Sequence, residues 1–88
     1  MKHTKQACDI VRSFVDRTRN KGEYPDGLDY KVYVVIAAYI LGNEKYLIST
    51  DLPDGRYFEV TYDADRDAFY LDCYVRIHNE VIGGGMDG

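Results

Sequence analysis

The hydrophobic period of this chain changes once, and that change decides its architecture. From Thr4 to about Asn20, Ala7, Cys8, Ile10, Val11, Phe14 and Val15 recur at spacings of three and four, which predicts one helix with a single buried stripe. From Tyr30 the period becomes two and holds for about fifty residues, broken three times by turn chemistry. A helix followed by alternating strands can bury both apolar faces only by laying the helix on one side of the sheet. The expected class is therefore α+β, with one N-terminal helix packed on a four-stranded antiparallel meander in a cystatin-like two-layer arrangement. Thr4 is placed to cap the helix and Gly22 to end it, with Arg17, Arg19 and Lys21 complementing the negative end of its dipole. Turn residues then fill Gly22 to Asp29.

The first strand is expected from about Tyr30 to Leu41, with Tyr30, Val32, Val34, Ile36, Ala38 and Ile40 as its inward face. Gly42, Asn43 and Glu44 read as a three-residue hairpin loop before a short strand, Lys45 to Thr50, that turns Tyr46 and Ile48 inward. The PDG turn at Pro53 leads to a third strand, Arg56 to Tyr62, with Phe58, Val60 and Tyr62 inward. A polar loop, Asp63 to Asp67, precedes the fourth, Ala68 to His78, with Phe69, Leu71, Cys73, Val75 and Ile77 inward. Residues 1–82 are expected as one domain, since 88 residues leave no room for two cores, and 83–88 as a mobile glycine-rich tail.

The net charge of −4 conceals a bipolar chain. Residues 1 to 21 carry six Lys and Arg against Asp9 and Asp16, a local +4, so the remainder carries −8. An acidic remainder repels phosphate backbones, which argues against a nucleic-acid partner unless the basic helix alone carries the contact. Without an 18-residue apolar run or a signal-peptide pattern, the expectation is a cytoplasmic protein that does not engage a membrane. Cys8 and Cys73 are too few and too far apart for a disulfide framework or a zinc site, and both fall at inward positions as small core residues.

The alternate, outward positions carry the functional signal. They present Lys31, Tyr33 and Tyr39 from the first strand, Tyr57, Glu59 and Thr61 from the third, and Tyr70, Asp72, Tyr74, Arg76 and His78 from the fourth. Tyrosine combines a rigid apolar body with a polar tip, so this set suits a partner-binding face; cross-strand aromatic pairing that merely stabilises the sheet is the competing explanation. A four-residue loop closing at Asp63 and Ala68 sets Glu59 opposite Asp72 and Tyr57 opposite Tyr74, whereas a register shifted by two would pair Glu59 with Tyr70. Facing carboxylates repel, and Arg76, Lys31 or a basic residue of a partner would relieve them.

Catalytic and metal motifs are weak by comparison. Asp63, Asp65 and Asp67 match the opening of a calcium loop, but Ala68 stands where glycine belongs and Tyr74 where a bidentate glutamate belongs, so no metal is assigned. His78 reads as a surface residue. Nothing resembles a Ser, His and Asp set, a phosphate-binding glycine loop or a matched acid and base, and the expectation is a protein that is not an enzyme and needs no cofactor. The RYFEVTY segment lacks the glycines of an RNA-recognition strand.

The stretch from Tyr33 to Arg76 resembles a family of small proteins of unknown function encoded by phages and prophages of Gram-positive bacteria. The resemblance rests on Tyr33, Val34 and Val35; Ser49 and Thr50; Asp54 and Gly55; Tyr57 and Glu59 to Tyr62; and Tyr70, Leu71, Asp72 and Tyr74. Ala37 and Ala38 depart from it in being smaller. It implies an accessory protein acting in the cytosol of a bacterial host and transfers no catalytic residue. The resulting expectation is a non-catalytic protein that binds and modulates a host protein, an anti-defence inhibitor among the candidates, through Tyr33, Tyr57, Glu59, Tyr70, Asp72, Tyr74 and Arg76. The alternative is a homo-oligomeric sponge for a nucleotide signal, with Lys31 and Arg76 on its phosphates. A homodimer through the same face is the purely structural outcome.

Overall fold

The computed structural model describes residues 1–19 and 29–84. Helix α1 spans Thr4–Thr18, and strands β1 (Val32–Ile40), β2 (Asn43–Thr50), β3 (Arg56–Asp63) and β4 (Ala68–Val75) form one antiparallel sheet in the order β1-β2-β3-β4. This is the α+β meander that the change of period predicts. Gly22, residues 22–28 of the expected turn and residues 85–88 of the expected tail lie outside the described residues.

The helix lies along the two central strands. Ala7, Val11 and Val15 on its stripe are buried against Tyr46 and Ile48 of β2 and Phe58 and Val60 of β3, with Leu52 closing one end. Cys8, Ile10, Phe14, Val32, Val34, Phe69 and Leu71 pack around them. Near its C-terminal end, Arg56 anchors the helix: its Nη1 donates to Thr18 Oγ1 at 2.7 Å, and its Nε donates to Asp54 at 2.9 Å. The Tyr30 hydroxyl donates to Asp16 at 2.6 Å, while the Arg12 guanidinium lies 5.0 Å from its ring centroid. Burial, then the Asp16 hydrogen bond, pushes the Tyr30 phenol up to about 12.

Five local expectations are corrected. The helix cap is His3, not Thr4, and the first helical bond runs from Ala7 N–H to His3 O. The helix ends at Thr18, with Arg19 already extended. A β-bulge lies between Val34 and Ile36, where two β1 residues face one β2 residue. It keeps Val32 and Val34 on the helix side but turns Ile36, Ala38 and Ile40, expected inward, to the open side, and it moves Ala37 and Tyr39 to the helix side. The β1–β2 loop is two residues, Leu41 and Gly42, with φ of +53° and +84°, as a tight I′-like hairpin requires. Strand β4 stops at Val75, so Ile77 and His78 lie beyond the sheet and Ile77 is exposed, as are Val75 and Cys73.

The shorter hairpin loop puts Glu44 inside β2, on the helix face. The Glu44 carboxylate is buried and accepts from the His3 backbone N–H at 3.3 Å, from His3 Nδ1 at 2.8 Å and from the Tyr46 hydroxyl. The His3 N–H also reaches the Tyr46 hydroxyl at 3.1 Å, and the His3 ring stacks on Tyr62 at 3.9 Å. Burial alone would push the Glu44 carboxyl up, but the hydrogen bonds from Tyr46 and His3 together outweigh it and hold the carboxyl below its ordinary value. The helix start is thereby tied to the sheet through one ionised group.

Two stability predictions follow from these contacts. Glu44→Gln should cost about 1–3 kcal/mol in urea unfolding at neutral pH, because the donors around the site then meet an amide. A folded-state value below the unfolded one stabilises the native chain at higher pH, and that contribution is lost as pH falls through and below 4.5, the ordinary value. The gap between the wild type and Glu44→Gln should therefore narrow in acid; a gap independent of pH would show that Glu44 is not ionised in the fold. Leu41 is 98% exposed in a left-handed conformation that a leucine adopts at a cost. Leu41→Asn should raise stability by about 1 kcal/mol, read as a higher urea midpoint with an unchanged slope.

Candidate functional site

The face of the sheet opposite α1 is bare among the described residues. Its composition follows from register. One row across the four strands is Tyr33, Ser49, Tyr57 and Tyr74; the next is Ile36, Leu47, Glu59 and Asp72; the third is Ala38, Lys45, Thr61 and Tyr70. Tyr33, Ile36, Ile40, Tyr57, Tyr70 and Tyr74 are all exposed there. The structure thus brings six of the seven sequence-predicted binding residues onto one surface: Tyr33, Tyr57, Glu59, Tyr70, Asp72 and Tyr74. Arg76 sits just past β4 at the end of this face, held by its backbone N–H to Gly55 O at 2.9 Å. Tyr39 and His78 do not join it; His78 lies 2.7 Å from Glu80 on the segment after β4.

The expected cross-strand pairs are present. Tyr57 and Tyr74 are directly opposite, their rings stacked at 5.1 Å and 17°. Glu59 faces Asp72, and the cation beside the pair is Lys45, whose Nζ lies 3.2 Å from Glu59 Oε1, rather than Arg76 or Lys31. Asp72 itself has no ion pair among the described residues. Its carboxylate raises the Tyr74 phenol, with burial and the Glu59 charge acting in the same direction. The middle of the face is therefore half apolar and half acidic between tyrosine-bearing rows, with Glu59 paired to Lys45 and Asp72 without an ion pair among the described residues.

Sequence reasoning missed the contribution of β2. Lys45, Leu47 and Ser49 alternate with Tyr46, Ile48 and Thr50, so the same period that placed Tyr46 inward places them outward. Ile36 and Ile40 had no such signal, because the bulge that turns them out lies in a strand apolar on both sides. Two concavities open on the face. One, of about 470 Å³, lies between Tyr33 and Tyr57 and is walled by the turn from Leu52 to Gly55 and by Arg76. The other, of about 150 Å³, is lined by Ile36, Ala38, Ile40, Leu47, Lys45 and Glu59. Lys31, paired with Arg76 in the sponge alternative, is not in the lining of either.

The remaining candidates sit elsewhere. In the β3–β4 turn the Asp63 carboxylate accepts from the backbone of Asp65 at 3.0 Å, and Asp67 accepts from the Tyr62 hydroxyl at 2.7 Å. Among the described residues no three His, Cys, Asp or Glu side chains are grouped to hold a metal ion. Cys8 is half-buried beside α1's stripe, its thiol pushed up by burial and then by Asp9, which disfavours the reactive thiolate. No described helix is long and apolar enough to cross a membrane.

A model of a family of unknown function, DUF6275, matches residues 4–84. No curated protein and no solved structure matches the chain. The match takes in the whole of α1, all four strands and the open face, and the chain belongs to this family of unknown function (DUF6275).

Proposed function

We propose that this chain is a non-catalytic accessory protein of phage or prophage origin, working in the bacterial cytosol by binding a host protein through the open face of its sheet. Inhibition of a host defence component is the role to test first. The observation that carries the reading is the bare face itself: four exposed tyrosines and two exposed isoleucines around Leu47, on a sheet whose other side already holds the core. Monomeric proteins seldom leave so contiguous an apolar and aromatic surface in water, and rigid aromatic side chains lose little entropy when a partner covers them. Asp72 supplies polarity of a definite sign. Without an ion pair among the described residues and flanked on its own strand by Tyr70 and Tyr74, it suits an arginine or lysine of the partner, whose charge both the carboxylate and the ring faces attract.

The bacterial setting rests on the resemblance to phage and prophage proteins. The choice of a binding role rests on the face. Substitution at Asp72 separates binding from sheet stability, because the two readings give opposite signs. Asp72→Asn removes a repulsion across the Glu59 pair and should raise stability by about 0.2–1 kcal/mol. The same substitution should weaken capture of a stoichiometric host protein from bacterial lysate by about tenfold or more, the loss expected for one charge-assisted contact. The Tyr57→Ala, Tyr74→Ala double variant should abolish capture. If Asp72→Asn is stabilised and captures the same protein undiminished, the basic anchor is wrong; if neither form captures a stoichiometric protein, the binding role fails.

A further inference from the structure

We infer that the slot between Tyr33 and Tyr57 binds a small planar anion, with its ring between the two phenol rings and its anionic group on Arg76. The slot follows from the register. Tyr33 and Tyr57 flank Ser49 in one row, so two strand spacings, about 9.5 Å in all, separate them over a side chain too small to fill the gap. Half of that distance lies within the roughly 4.5–7 Å centroid separation of stacked rings, so one flat ring can contact both tyrosines. Tyr57 is fixed for this role, because its far face is already stacked on Tyr74 at 5.1 Å. The concavity of about 470 Å³ falls within the range of small-molecule sites, about 300–1,000 Å³, and the turn from Leu52 to Gly55 closes one side of it.

The sign of the ligand comes from the two arginines of the lining. Arg56 is committed: its Nε bonds Asp54, its Nη1 bonds Thr18, and its guanidinium lies 5.7 Å from the Phe58 ring on the helix side. Arg76 is exposed and uses only its backbone N–H, so among the described residues its guanidinium has no carboxylate partner. An unpaired guanidinium beside an aromatic slot recognises a phosphate or carboxylate attached to a ring, in the bidentate geometry that lysine lacks. The ring-anion chemistry is shared by nucleotides and aromatic acids. The slot lies within the same open face as the proposed host-protein surface, but its test needs no host component.

The full chain is titrated with AMP and with 2-naphthoate as ring-bearing anions, with adenosine and inorganic phosphate as the halves of AMP and 2-naphthol and acetate as stand-ins for the ring and the carboxylate of naphthoate, by calorimetry and by amide NMR shifts. At least one ring-bearing anion should bind about tenfold or more tightly than either half, with shifts centred on Tyr33, Ser49, Tyr57 and Arg76. Binding of AMP alone points to a phosphorylated ligand, and binding of naphthoate alone to an aromatic acid. Arg76→Gln changes an exposed side chain and keeps the backbone bond to Gly55, so the fold should persist; it should weaken the ring-bearing anion by about tenfold and leave adenosine unchanged. The inference is overturned if neither ring-bearing anion exceeds its halves, if the shifts lie elsewhere, or if Arg76→Gln binds like the wild type.

Discussion

A single helix is narrower than the sheet it must cover. An α-helix with its side chains is about 10–12 Å across, whereas the outer strands of a four-stranded sheet lie about 14 Å apart and their side chains extend further. Here α1 resolves the mismatch by sitting over β2 and β3, which supply every strand residue in the fully buried core. The outer strands are covered only in part. Cys73 and Val75 occupy helix-side positions in β4 and remain exposed, and Tyr39 does the same in β1. Nothing in the described chain is left to cover the opposite face.

The β1 bulge is intelligible against that limit. Had the alternation of Val32 and Val34 continued, Ile36, Ala38 and Ile40 would have lined the helix side near the N-terminal end of α1. That corner is occupied instead by His3, Glu44, Tyr46 and Tyr62, a polar and aromatic cluster that needs hydrogen-bond geometry more than aliphatic volume. One extra residue at the bulge sends Ile36, Ala38 and Ile40 to the open face, where with Leu47 they become the apolar half of the candidate site. The buried carboxylate comes from the shorter hairpin loop and the β2 alternation, the exposed apolar patch from the β1 bulge, and the two meet at one corner of the sheet.

The same particulars explain how far the sequence could be read. The single helix and the four-strand meander followed from period alone, and the β3–β4 register followed from loop length, which is why Tyr57 with Tyr74 and Glu59 with Asp72 were legible. The bulge was not legible, because VYVVIAAYI is apolar at both parities and a shift of one residue leaves its pattern unchanged. Glu44 reads as a loop residue because Gly42, Asn43 and Glu44 carry turn chemistry, whereas the loop forms at Leu41 and Gly42, and a leucine seldom takes the left-handed conformation that this requires. Cys73 was assigned the correct side but the wrong burial, since alternation reports direction and only the helix position reports coverage.

The open face is graded along the strands rather than uniform. At the end near the β2–β3 turn it offers tyrosines, hydroxyls and the guanidinium of Arg76; across its middle it offers Leu47 and Ile36 beside the Glu59 and Asp72 carboxylates; beyond these lie Ala38, Lys45, Thr61 and Tyr70. A surface serving only to stabilise its own sheet has no need of an uncompensated charge at either place, since a facing carboxylate destabilises the pair and an unpaired arginine contributes little. Opposite charges four residues apart, Asp72 in β4 and Arg76 just past its end, roughly 13 Å from each other in an extended chain, instead give a bound surface a direction. A partner that matched the tyrosines alone could slide or invert on a flat sheet, whereas one that places a cation at Asp72 and an anion at Arg76 has a single orientation.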